Sequence, residues 1–210
     1  MTDQPIQPKP ALIDGALPEL PKVPVLHDER GSDYNQASSR TQKLVELLVD
    51  TGISIATAES LTGGALASEI VNVPGVSAVY RGGVVAYTFE VKEQLLGVER
   101  ELLLTRGAVN EDVALQMARG VREACAIDDA PADVGVSTTG VAGPDPADGE
   151  AAGTVFVGLS TLWGERAVRL DFSNLVRADD PVGSRQRIRF ATIEAAVHQL
   201  IEYLAAQAND

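Results

Sequence analysis

At 210 residues, with 45% hydrophobic, 22% charged and only 4% aromatic residues, the chain has the composition of one globular domain with an aliphatic core. A disordered, collagenous or disulfide-built polymer is excluded. Lys and Arg number 17 against 30 Asp and Glu, a net charge of −13. With no Lys/Arg run, that argues against extended contact with nucleic acid, although a single phosphate can still find a local cation.

Cys125 is the single cysteine. No intrachain disulfide and no Cys-rich metal site can form, and a reducing, cytoplasmic compartment is the expectation. No apolar stretch approaches the roughly 18 residues of a membrane span. The N-terminus lacks the basic and apolar regions of a secretory signal.

Pro5, Pro8, Pro10, Pro18, Pro21 and Pro24 crowd the start of the chain, so residues 1–40 read as an extended, flexible tail ahead of a domain at 41–210. Within that tail, Ala11–Ile13 and Val23–Leu26 are apolar enough to dock on a partner or on the domain. From Thr41, Leu44, Leu47 and Leu48 recur at helical spacing up to a stop at Gly52. The short apolar run Ile53–Ala58 reads as a buried strand, and Glu59–Gly64 turns into a helix over Ala65–Val71 that Pro74-Gly75 closes. A strand over Gly83–Tyr87 precedes a helix from Glu90 to Leu96. Asn110 caps an amphipathic helix running to Cys125, with Val113, Met117 and Val121 on one face. Asp133–Thr138 is a strand ending in the glycine loop Thr139–Pro144. An acidic loop, Asp145–Ala152, leads to strands Thr154–Ser160 and Arg166–Phe172, and a helix from Gly183 to about Ala206 ends the chain. Strands alternating with helices, then a strand pair, predict a three-layer α/β/α sandwich around a mixed, mostly parallel sheet with an antiparallel edge.

Ligands of open α/β sheets sit beyond the carboxyl ends of the strands. Two segments end a strand there in hydroxyls and glycines: Glu59–Gly64, carrying Ser60, Thr62, Gly63 and Gly64, and Thr139–Pro144, carrying Thr139, Gly140 and Gly143. Glycines admit close approach, and first-turn amides suit either an oxyanion or a phosphate. The same residues serve equally as turn and cap residues. Serine chemistry needs a base. His27 lies in the tail and His198 reads as a surface or packing residue of the last helix, so a Ser-His-Asp triad is not expected. A desolvated lysine can substitute. Lys92, a few residues after Tyr87, is placed for a Ser-Lys-Tyr group, though spacing alone fits a solvated lysine and a packing tyrosine as well. Arg185 and Arg189, four apart, share a helix face, and Arg185 reads either as a phosphate clamp or as a partner of Asp179 or Asp180. Metal-ligand motifs, a P-loop and a dinucleotide-binding glycine motif are absent from the sequence, and Cys125 reads as a core residue.

Taken in order, Thr57-Ala58-Glu59-Ser60-Leu61-Thr62-Gly63-Gly64, Val73–Ser77, Tyr87 and Lys92 before Leu95–Val98, Gly107–Val109, Thr139–Pro144 and Gly153–Val155 resemble the CinA C-terminal domain family, which includes stand-alone nicotinamide-nucleotide amidases. The match runs from about Thr41 to the last helix. The resemblance implies hydrolysis of the carboxamide of nicotinamide mononucleotide to nicotinic acid mononucleotide and ammonia, without metal or cofactor, by a homo-oligomer. It implies Ser60 as nucleophile, Lys92 and Tyr87 as base and proton relay, and Thr139 and Arg185 as nucleotide-positioning residues. Amides near Thr62, Gly63 and Gly64 would then face the oxyanion, while Thr139, the Gly140–Gly143 amides and Arg185 hold the ribose phosphate. Three departures stand out. Phe89 replaces the family's usual polar asparagine, Leu61 replaces its usual cysteine, and Asp145–Glu150 replaces a glycine-rich run. They keep two alternatives in view: a hydrolase of another small amide, and a catalytically altered accessory or binding protein.

Overall fold

The computed structural model describes residues 38–207 of the chain. The tail expected over residues 1–40 therefore lies outside the described residues, apart from 38–40, which open the first helix. Helix α1 (Ser39–Thr51) starts where the Ser38 hydroxyl accepts the Thr41 amide, and it stops at Gly52 in the left-handed region. Next come β1 (Ile55–Glu59), α2 (Ala65–Val71) and, after a 3₁₀ turn over Val76–Ala78, β2 (Tyr80–Val85). Helices α3 (Phe89–Leu96), α4 (Arg100–Arg106) and α5 (Glu111–Ala124) follow. Strands β3 (Val134–Gly140), β4 (Thr154–Thr161) and β5 (Glu165–Asp171) lead through a 3₁₀ turn to α6 (Pro181–Gln207). Short α4 has no counterpart in the sequence expectation. It is two turns long, and its single buried side chain, Leu103, gives no helical repeat to read.

The sheet order is β2-β1-β3-β4-β5. Strand β1 pairs parallel with β2 and β3, while β3–β4 and β4–β5 are antiparallel. The fold is thus the expected α/β sandwich with an antiparallel edge. Every residue of β1 and β4 is buried, whereas β2 and β5 at the edges alternate with exposed positions.

Successive β1 side chains feed two cores. Ile55 packs with Leu44, Leu48, Leu66, Ile70, Val197 and Leu200 from α1, α2 and α6. Ala56 and Ala58 pack with Leu96, Val113, Met117 and Val121 from the other layer. Helix α5 lies close enough that a Cβ added at Gly135 or Gly158 would meet the backbone oxygen of Ala118 or Ala114 at 2.0 and 2.4 Å. Among the described residues, no helix is long and apolar enough to cross a membrane.

Candidate active site

Parallel pairing of β2, β1 and β3 brings three carboxyl ends to one edge, because Glu59 is in register with Val85 on one side and Thr138 on the other. The ladder continues one residue further. Ser60 N–H donates to Thr138 O at 2.9 Å, and Ala86 N–H donates to Glu59 O at 2.8 Å. Ser60 is therefore held by main-chain bonds between the starts of the two neighbouring loops.

Lys92 comes from the second turn of α3, whose start is fixed by Thr88 accepting the Val91 amide. Its side chain is 1% exposed. Nζ lies 3.0 Å from Ser60 Oγ and 2.7 Å from Ala86 O. Burial pulls the ammonium down from its ordinary value to about 8, while the Asp148 carboxylate pulls the other way. A lysine with a lowered pKa within hydrogen-bond reach of a serine hydroxyl has the geometry that a nucleophile–base pair requires.

Tyr87 falls two residues beyond β2 rather than at its end. The strand runs over Tyr80–Val85, earlier than the expected Gly83–Tyr87, because Gly82 and Gly83, weak strand formers, are tolerated where they pair with β1. The ring is 59% exposed, and its hydroxyl accepts from Arg185 at 3.3 Å rather than reaching Lys92 or Ser60. Arg185 also donates to Gly143 O at 2.6 Å. Asp180 pairs instead with Arg187, at 2.8 Å, and Arg185 lines a cleft. That cleft, of about 300 Å³, is lined by Ser60, Tyr87, Phe89, Lys92, Thr139, Gly140, Gly143 and Arg185, together with Asp145 and Asp148.

The anticipated anion nest at the start of α2 is occupied from within. The buried Glu59 carboxylate accepts the N–H groups of Gly64, Leu66 and Ala67 at 2.9, 3.0 and 2.7 Å, filling the helix N-terminus with an internal anion. Gly63 N–H is spent on Ser60 O at 3.1 Å. The Thr62 hydroxyl is buried against Thr138, 2.7 Å away. Thr62, Gly63 and Gly64 do not line the cleft, contrary to the expectation that their amides face the substrate. Sequence spacing puts a glutamate one residue before the serine but does not show that its side chain doubles back on the helix. Thr139 does line the cleft, and its hydroxyl donates to Ala108 O at 2.6 Å.

Sequence reasoning missed two residues. Arg189 donates through Nε to Leu61 O at 3.0 Å and through an Nη to Thr62 O at 2.7 Å; its spacing from Arg185 was the one available signal. Asp148, in the acidic loop, accepts the Ala108 amide at 2.9 Å and so pins the loop over the Gly107-Ala108 turn. His198 is half-exposed beside Glu202, Cys125 is partly buried with its thiol pushed up by burial, and His27 lies outside the described residues. Among the described residues no group of three or more His, Cys, Asp or Glu side chains is placed to hold a metal ion.

Residues 37–204 match the family described as the CinA C-terminal domain. A competence-damage inducible protein of Geobacillus kaustophilus is 43% identical over 174 residues, covering 82% of this chain and 38% of that protein. One of Halothermothrix orenii is 38% identical over 169 residues, again 38% of its length. The chain thus spans less than two-fifths of these relatives. Among solved structures, a CinA superfamily protein from Escherichia coli aligns with a TM-score of 0.70 at 28% identity, over 83% of this chain and 94% of that one. The competence/damage inducible protein CihA of Agrobacterium tumefaciens aligns at 0.65 and 31%, over 78% and 94%.

Proposed function

We propose that this chain, which belongs to the CinA C-terminal domain family, is a serine amidohydrolase that deamidates nicotinamide mononucleotide to nicotinic acid mononucleotide and ammonia. The observation that carries the proposal is the buried Lys92 Nζ, 3.0 Å from Ser60 Oγ, on the floor of a cleft whose rim holds Arg185.

The chemistry follows from that pair. Neutral Lys92 takes the Ser60 proton as Oγ bonds to the carboxamide carbon, and the carbonyl π electrons move onto oxygen. Collapse of the tetrahedral adduct breaks the C–N bond. The proton held by Lys92 goes to the departing nitrogen, so ammonia leaves and a nicotinoyl ester stays on Ser60. Water then gives a proton to Lys92, attacks the ester carbon and releases the carboxylate, and Ser60 recovers its proton. No metal or redox partner enters this balance.

Arg185, anchored by Gly143 O and the Tyr87 hydroxyl, is the cation for the ribose phosphate. Binding energy there is spent on orienting an amide several bonds away. Tyr87 is assigned to this phosphate end of the cleft, because its hydroxyl bonds Arg185 rather than Lys92. Phe89, where the family's usual residue is asparagine, offers the pyridine ring an apolar contact in place of a hydrogen bond.

Ammonia release from nicotinamide mononucleotide by the purified protein in metal-free buffer, with Ser60→Ala beside it, tests the proposal. Release by the wild type alone is the expected result. A folded wild type that releases none, yet hydrolyses another small amide through Ser60, would move the substrate while keeping the catalytic pair.

A further inference from the structure

The turn that carries Ser60 is braced on its carbonyl side by a charge from another part of the chain. Arg189, on α6, donates to the carbonyl oxygens of both Leu61 and Thr62 and is not part of the cleft lining. A peptide unit is planar and trans, so its C=O and N–H point in opposite directions. Holding Leu61 O therefore aims the Thr62 N–H away from Arg189. Ser60 O is held in turn by Gly63 N–H, which aims the Leu61 N–H away from the helix start.

Every other amide of the turn has an acceptor: Ser60 on Thr138, Gly63 on Ser60, Gly64 on Glu59. Among the described residues, the N–H groups of Leu61 and Thr62 alone in this turn are left without a protein acceptor. Of the two, Leu61 lines the cleft and directly follows the nucleophile, the usual place for an oxyanion donor on a strand-to-helix turn.

We infer that Arg189 is a positioning residue: its bonds to Leu61 O and Thr62 O fix the Leu61–Thr62 and Thr62–Gly63 peptide planes, the second of which carries the Gly63 N–H that holds Ser60 O, so that the Leu61 N–H is kept aimed at the oxyanion formed at Ser60. Two coplanar donors on one rigid guanidinium set both planes together, which a lysine ammonium does not do. The inference rests on the reading of Ser60 as nucleophile but not on the identity of the amide substrate.

The test is the rate at which a fluorophosphonate probe labels Ser60, located by mass spectrometry of the full chain. In that step Oγ bonds to phosphorus, the P–F bond breaks, fluoride leaves and Lys92 takes the proton. The phosphoryl oxygen then occupies the same donor as a carboxamide oxyanion. Wild type is expected to label at Ser60. Arg189→Met is expected to label about 10²-fold slower, and Arg189→Lys about 10-fold slower, the lysine variant carrying the test should the methionine variant fail to fold. In Arg189→Ala, guanidinium at non-denaturing concentration is expected to restore at least a tenth of the lost rate, where sodium chloride at equal ionic strength does not. With nicotinamide mononucleotide, kcat is expected to fall alongside the labelling rate while KM stays within about threefold.

Labelling of the folded Arg189 variants at the wild-type rate overturns the inference and leaves the nucleophile intact. So does a rate loss that guanidinium fails to recover while KM rises in step with it, the pattern of a simple helix tether. A wild type that labels elsewhere than Ser60 overturns the nucleophile reading, and this inference with it.

Discussion

The two glycine-bearing turns at the carboxyl edge of the sheet look alike in sequence and differ in what they have left to offer a ligand. In Ser60–Gly64 the helix start is filled from within, Glu59 accepting the first-turn amides of α2 and Arg189 holding two carbonyls, and the N–H groups of Leu61 and Thr62 alone are left unspent among the described residues of this turn. Thr139–Pro144 is the reverse. Gly143 O is bound to Arg185, but among the described residues the N–H groups of Ala142 and Gly143 have no protein acceptor. The first turn therefore holds Ser60 rigidly and has no room for a second anion at its helix. The second keeps a cation and unspent amides on residues that line the cleft. A glycine loop is an anion site only once its internal acceptors have been counted.

The sharpest way to separate the two turns is to remove the chemistry from one of them. Ser60→Ala is expected to lower ammonia release by at least about 10³-fold with no change in thermal midpoint beyond a degree or two. Lys92→Met is expected to cost a similar factor and to stabilise the fold. Folded Lys92 titrates near 8, below its unfolded range, so between those values the unfolded chain binds the extra proton and wild-type stability rises with pH. The methionine variant, free of a buried ammonium, should gain about 1–3 kcal/mol below pH 8 and lose that advantage as the pH climbs towards the ordinary lysine range. Denaturant melts at pH 7 and pH 10 check the sign. An equal gain at both would mean that Lys92 is not the group being relieved.

Glu59→Gln probes the filled helix start itself. One amide oxygen replaces a carboxylate that serves three N–H groups, and the NH₂ end faces donors. A loss of about 2–4 kcal/mol in equilibrium unfolding is expected, together with slower catalysis as Ser60 loosens. At the open turn, Arg185→Ala should raise KM for the nucleotide about 10- to 100-fold and leave stability within about 1 kcal/mol. An unchanged KM would place the phosphate elsewhere.

The smallest effect belongs to the acidic loop. Asp148 favours the charged form of Lys92, so Asp148→Asn should move the acid limb of the rate profile, expected near pH 8 in the wild type, to lower pH by less than about one unit. A shift to higher pH would reverse the assigned interaction.

Much of this protein was legible in its residues. The apolar run before Glu59 and the alternating pattern after it mark β1 and the α/β class, and Asn110 with Val113, Met117 and Val121 marks α5, because both signals are local and periodic. Ser60 and Lys92 could be named as a pair, yet Lys92 could equally have been a solvated helix residue. Only the burial of its side chain, and its 3.0 Å approach to Ser60 across 32 positions of sequence, separates those readings. Tyr87 shows the opposite limit: close to Lys92 in sequence, it turns its hydroxyl to Arg185, 98 positions away.

The sequence by itself determined the order of elements, the family and which side chains are chemically able to act. The tertiary structure alone decided where the charges go: Glu59 into the helix start, Arg189 onto two carbonyls, Arg185 into the cleft and Arg187 onto Asp180. The physical reason is that hydrophobic periodicity is written along a few neighbouring residues. The partner of a buried charge is chosen by desolvation, which is settled only when distant segments close around it.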